Sequence, residues 1–204
     1  KRYKIVSKKT MPLSFKIISL CDFKEDFGDK CGSLNLYWLL FSGMPNVLRI
    51  EDRVLVFMLH KYSDNYIKNN PGSHYFLDPS LLKNFQRQEL RTSSTPICSL
   101  DTIPNECVSL LDCFGANIRD EQFLVLLKGN SKTRNHAFSI GVTNTNGKPI
   151  YTLNEVYNEP PFFIQKTFPY LSNFRAELSR IYTYKQKELD KYYSHIQYLK
   201  LETL

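Results

Sequence analysis

The sequence predicts an α+β fold: a helical half, then an antiparallel sheet, then a long C-terminal helix. Three observations predict it. "CGSLNLYWLLF", Cys31 to Phe41, is apolar nearly all round and is followed by Gly43 and Pro45, the pattern of a buried helix with a defined stop. From Glu121 onward the period changes to short runs rich in β-branched and aromatic residues, two of which flank "NTNGK"; Asn146-Gly147 within it is a strong tight-turn signal. Beyond Ser172 the chain has no Gly or Pro, and Phe174, Leu178, Ile181, Leu189, Tyr192, Ile196 and Leu199 recur near helical spacing.

At 204 residues, with 42% hydrophobic and 23% charged residues, the chain has ordinary globular composition, enough for one full core or two lobes sharing an interface. Its longest apolar runs, such as Leu34 to Phe41 and Phe123 to Leu127, are far below the roughly 20 residues of a membrane-spanning helix. No bilayer span is expected. The basic start lacks a long apolar region and a small-residue cleavage site, so it is not read as a signal peptide; Lys1 in place of methionine points to a trimmed or processed chain. Five cysteines, with no C-x-x-C pair and no zinc-type spacing, fit a reducing compartment. Cys21, Cys98, Cys107 and Cys113 read as partly buried packing residues. The net charge is +7, and residues 1–16 hold Lys1, Arg2, Lys4, Lys8, Lys9 and Lys16 without an acidic residue. Such an arm attracts anionic surfaces.

Taken in order, Phe15 to Leu20 alternates as a short edge strand. Asp29 is placed to cap the Cys31 helix, with Leu36, Leu39 and Leu40 on one stripe. "RIEDRVLVFMLHKYSDNYIKN" is a second helix with Val54, Phe57, Met58 and Tyr62 on one face, ended by Asn69, Asn70, Pro71 and Gly72. "DPSLLKNFQRQEL" is a third, capped by Asp78 or Ser80. Arg91 to Asn105, rich in Ser, Thr and Pro, reads as a linker. "EQFLVLLKG", "HAFSIGVTN" and "KPIYTLNEV" form an antiparallel meander.

Cys31 stands at the lip of its apolar run, not inside it. At a helix N-terminus the dipole and the unpaired N–H groups favour thiolate over thiol, so Cys31 is placed to be a nucleophile. Acyl chemistry also requires a base, an orienter for the base and donors for an oxyanion. Of the four histidines, His60 and His195 fall in helical patterns and His74 in a loop, whereas His136 opens a strand and can project towards the helix end. A three-residue loop, Asn144 to Asn146, would set His136 opposite Asn154 on one face; a two-residue Asn146-Gly147 turn would shift that pairing by about three positions. Glu155 is the rival orienter if the register slips by one. "KGNSKT" lacks the full phosphate-loop pattern, and no HExxH or GxGxxG occurs, so neither metal nor cofactor is expected.

"GDKCGSLNLYW", followed by "NHAFSIGVTNTNGKPIYTLNE", resembles the compact papain-like cysteine proteases, in particular picornaviral leader proteases and the small papain-like effectors that bacteria inject into host cells. In both, a "HA" dipeptide opens the strand and the third residue follows the hairpin. The resemblance implies a papain-like catalytic domain over 26–170 (helical lobe to about 95, sheet lobe beyond), flanked by the basic arm over 1–25 and the C-terminal amphipathic helix over 171–204. Cys31 is then the nucleophile, His136 the general base and acid, and Asn154 the orienter, with the Cys31 N–H as one oxyanion donor. Family members usually supply the second donor from Gln or Asn five or six residues earlier, where this chain has Asp26 and Glu25; a carboxylate there would repel an oxyanion. Asp29 could also help to hold His136 protonated.

The implied reaction is acyl transfer through a thioester. Water makes it a protease or deamidase, an amine a transglutaminase, and a lipid-derived acyl group an acyltransferase. Protein is the expected substrate, a host protein included, and the expected location is the cytoplasm or a host cytosol. Two other readings stay open. An inactive interaction module of the same fold would account for Asp26 and Glu25, and a basic nucleic-acid-binding domain would use the arm and the Tyr-rich C-terminal helix.

Overall fold

The computed structural model describes residues 14–19, 31–41, 49–70, 78–115, 120–129, 135–158, 161–189 and 193–204. These form, in chain order, β1 (Ser14–Ser19), α1 (Cys31–Leu40), α2 (Ile50–Asn69), α3 (Pro79–Asn84), β2 (Arg87–Pro96), α4 (Thr102–Gly115), β3 (Glu121–Lys128), β4 (His136–Thr145), β5 (Lys148–Asn158), β6 (Pro161–Phe168), α5 (Leu171–Leu189) and β7 (His195–Thr203). The strands make one seven-stranded sheet in the order β1-β6-β5-β4-β3-β7-β2, and every neighbouring pair is antiparallel. β1 is an edge strand, and β3, β4 and β5 run as the expected meander.

Helices cover both faces of this sheet. Every side chain from Phe123 to Leu127 is buried, the continuous apolar run that a strand needs when neither face meets water. Leu124 and Leu126 join Leu34, Trp38, Val56, Leu82 and Ala137 in the layer under α1, α2 and α3. Phe123, Val125 and Leu127 join Cys107, Phe138, Phe174, Leu178 and Tyr182 in the layer under α4 and α5. As its sequence requires, α1 is buried from Ser33 to Leu40. It lies so close to the sheet that a Cβ on Gly141 would come 3.3 Å from the Trp38 ring and 3.1 Å from the Glu121 carbonyl oxygen.

The long C-terminal helix is corrected. α5 ends at Leu189, and residues 195–203 form β7 between β3 and β2. Ile196 and Leu199, three apart, share a face of a helix but lie on opposite faces of a strand. Here both faces are covered: Ile196 and Tyr198 enter one core layer, and Leu199 with Leu201 the other. That double burial imitates a helical stripe.

Other expectations also change. α3 stops at Asn84, with Asp78 as its N-cap accepting from the Ser80 N–H at 2.8 Å. The supposed linker is the end of β2, the edge partner of β7, together with the start of α4. On α2 the buried positions are Asp52, Val56, Leu59 and Ser63, while Val54, Phe57, Met58 and Tyr62 are exposed. The reason is a polar pin: Tyr37 Oη donates to Asp52 Oδ1 at 2.6 Å, and Asp52 Oδ2 accepts from the Arg49 N–H. The Asp52 face therefore turns towards α1. Cys107 is fully buried, but Cys98 and Cys113 are exposed; Cys21 lies outside the described residues. Among the described residues no helix is long and apolar enough to cross a membrane.

Candidate active site

Cys31 is the first residue of α1 and His136 the first residue of β4. α1 crosses the sheet over β3, β4 and β5, so its N-terminus reaches the end of β4 where the strand begins. There the Cys31 sulfur accepts hydrogen bonds from the His136 ring and the Ala137 N–H. Burial pushes the thiol pKa up. Those two hydrogen bonds and the charge of His136 outweigh it, against some opposition from Glu155, and leave the thiol below its ordinary value.

The hairpin fixes which group holds the imidazole. Asn146 and Gly147 both have positive φ, 53° and 75°, the two-residue turn whose twist suits a hairpin. Thr145 therefore pairs with Lys148, and Ser139 with Asn154. The pairing of His136 with Asn154, based on a three-residue loop, is corrected. Asn154 is on the sheet face that Ser139 shares, fully buried, with Oδ1 accepting from Gln165 Nε2 at 3.0 Å. One residue further, alternation turns Glu155 to the face of His136 and Phe138. His136 Nε2 lies 2.7 Å from Glu155 Oε1. An ionised carboxylate only accepts, so Nε2 carries the proton and Nδ1 is left for the sulfur.

Glu155 is 1% exposed, and a buried carboxylate needs donors. Besides His136 it has the Val156 N–H on Oε1 at 3.2 Å and Tyr182 Oη on Oε2 at 3.0 Å. Burial first, and then the Glu155 charge, push the Tyr182 hydroxyl well above its usual pKa, so it stays a donor. The ring of Tyr193 lies 6.5 Å from that of His136. Its hydroxyl is raised to about 12 by burial and by the nearby Glu155 and Cys31 charges.

Thus Cys31 and His136 are brought together, and Asn154 is not brought to them. His60 lies near Asp64 on α2, His195 begins β7, and His74 lies outside the described residues, as do Glu25, Asp26, Asp29 and the basic arm as far as residue 13. Sequence reasoning missed Tyr182 and Tyr193, whose pairing with β5 and β4 depends on long-range packing. It also passed over Asn35, the one carboxamide in the α1 run, four residues after Cys31. That interruption of an apolar stretch was a usable signal.

A thiol at the N-terminus of a helix laid across an antiparallel sheet, facing a histidine at a strand start, is the arrangement of papain-like folds. The solved structure of the Pseudomonas avirulence protein AvrPphB, which has such a fold, is similar to this chain with a TM-score of 0.56 and 11% identity, over 88% of this chain and 99% of that one. At that identity the likeness is one of fold. No protein-family model and no curated protein sequence matches the chain.

Proposed function

We propose that this protein is a cysteine hydrolase acting on a protein substrate through a thioester, with Cys31 as nucleophile, His136 as general base and acid, and Glu155 as the orienting residue. The observation that carries the reading is the order Cys31, His136, Glu155: the His136 ring is hydrogen-bonded to the Glu155 carboxylate at 2.7 Å, and the ring and its charge hold the Cys31 thiol below its ordinary pKa. In that reaction the thiolate attacks the carbonyl carbon and the carbonyl oxygen becomes an oxyanion facing the Cys31 N–H. The imidazolium then gives its proton to the leaving amine, and a thioester remains. Water, deprotonated by His136, attacks the thioester; the acid leaves and the thiol is restored. Glu155 keeps Nε2 protonated and stabilises the positive ring without moving a proton itself.

Glu155 takes the place that the family resemblance would give to Asn154, because Glu155 meets the His136 ring; a carboxylate also stabilises an imidazolium more strongly than an amide does. The likeness to an avirulence protein supports a host protein as substrate and a host cytosol as the place of action. The reading is tested by mild iodoacetamide treatment at slightly acid pH, with mapping of the labelled thiols, alongside hydrolysis of fluorescent casein. Cys31, though partly buried, should label ahead of the exposed Cys98 and Cys113. Labelling of Cys98 and Cys113 with Cys31 inert would overturn the hydrolase and favour a non-catalytic interaction module.

A further inference from the structure

The β4–β5 ladder closes at the Ser139–Asn154 pair, although β4 begins at His136 and β5 runs on to Asn158. Beyond that pair the strands part. The first turn of α1 meets the opening: Ala137 gives its N–H to the Cys31 sulfur and its carbonyl to Asn35 Nδ2 at 3.3 Å. Asn35 is 0% exposed. Its Nδ2 also donates to the Cys31 carbonyl at 2.8 Å, and its Oδ1 accepts from Ser139 Oγ at 2.6 Å. The two carbonyls only accept, so Nδ2 must face them, and the hydroxyl is left to hold Oδ1.

A single carboxamide therefore touches the backbone of the cysteine, the backbone of the residue after the histidine, and a side chain two residues further along the same strand. Further along α1 the helix packs in the apolar layer of Leu34, Trp38, Leu124 and Ala137, and apolar packing has no direction. It would let the helix slide or turn slightly against the strand. Buried hydrogen bonds of fixed geometry do not, and a displacement of about 1 Å can lower a reaction rate about 100-fold. Leucine at position 35 would suit the surrounding layer of Leu34, Leu36, Leu124 and Ala137. Asparagine there is explained by what it holds.

We propose that Asn35, clamped by Ser139, is a positioning residue that sets the approach of the Cys31 sulfur to the His136 ring; this rests on the catalytic assignment of those two residues. The test compares Ser139→Ala, Ser139→Thr and Asn35→Leu with the unaltered chain. It follows the rate of Cys31 alkylation by iodoacetamide across pH, together with thermal melting. In the unaltered chain the midpoint is expected below that of an ordinary cysteine.

Ser139→Ala is expected to fold, to move the midpoint up towards the ordinary value and to slow alkylation at mildly acid pH about tenfold. Asn35→Leu should do more, and Ser139→Thr, which keeps the hydroxyl, should restore the profile. Leu178→Ala in the opposite core layer is the stability control: it should lower the melting temperature and leave the midpoint in place. An unmoved midpoint in Ser139→Ala overturns the proposal even if Asn35→Leu fails to fold, as does an equal shift in Leu178→Ala. A normal midpoint in the unaltered chain overturns the catalytic reading itself, so the two failures are distinguishable.

Discussion

Glu155 Oε1 accepts from His136 Nε2 at 2.7 Å while its Oε2 accepts from Tyr182 at 3.0 Å, so the carboxylate ties the strand-end histidine to α5. Removing the charge while keeping the shape, Glu155→Gln, allows the ring to adopt the wrong tautomer. A comparable change in a serine protease triad lowers kcat by about 10⁴, and a loss of at least about 100-fold is expected here. Asn154→Ala should leave kcat within a few-fold, because Asn154 shares the sheet face of Ser139, not that of His136, and its Oδ1 is engaged with Gln165. Its effect should be a stability loss of about 1 kcal/mol, read by denaturant unfolding. A larger kcat loss from Asn154→Ala than from Glu155→Gln would reverse the two roles.

Cys31→Ala and His136→Ala should fold normally and lose about 10⁴-fold or more in hydrolysis, since members of such a unit fail together. The double variant should be no worse than either single one. Circular dichroism checks folding and casein hydrolysis checks rate; full activity in either single variant would sink the assignment.

Tyr182→Phe keeps a fully buried ring in place and removes one donor from the Glu155 carboxylate. Hydrogen bonds to charged groups contribute about 1.5–3 kcal/mol, so a stability loss in that range is expected together with reduced kcat and an unchanged KM. Wild-type kcat in Tyr182→Phe would mean that Glu155 is held well enough without it.

The parts of this fold that were legible in the sequence are those specified locally. α1 announces itself by an apolar run with Cys31 at its lip, and the β4–β5 hairpin by Asn146-Gly147. β7 was illegible because its two buried faces put apolar residues three apart, which copies a helix. The α2 face was misread because Asp52, a charged residue, is buried to meet Tyr37. At the site, the two-residue turn moves the β4–β5 pairing three positions from the three-residue-loop register, which sets Asn154 opposite Ser139 and leaves Glu155 on the face of His136.

Glu177 offers a pH test away from the site. Burial raises its carboxyl pKa, but hydrogen bonds from Arg180 and Lys166 and their charges lower it further, and the result lies below the usual carboxylate range. A pKa that is lower folded than unfolded means that the folded chain binds fewer protons, so this contribution is present above the unfolded value, about 4.3. It is lost as pH falls through the folded pKa. Melting temperature should therefore drop on acidification below about 4.3, and the drop should be shallower in Glu177→Gln. An unchanged acid limb in that variant would show that other carboxylates control it.

Gly141 lets α1 lie close to the sheet. A Cβ there would sit 3.1 Å from the Glu121 carbonyl oxygen, which is backbone of the paired strand, and 3.3 Å from the Trp38 ring. Neither can retreat easily: one is fixed by the β3–β4 ladder, and the other is 3% exposed in the layer that carries Cys31. Overpacking of this kind costs about 1–3 kcal/mol, so Gly141→Ala should unfold at lower denaturant with an unchanged slope. Gly141→Val should be worse, and because the strain pushes on α1, it should also slow alkylation of Cys31. Stability equal to that of the unaltered chain in Gly141→Ala would mean that α1 rides further from β4 than its packing implies.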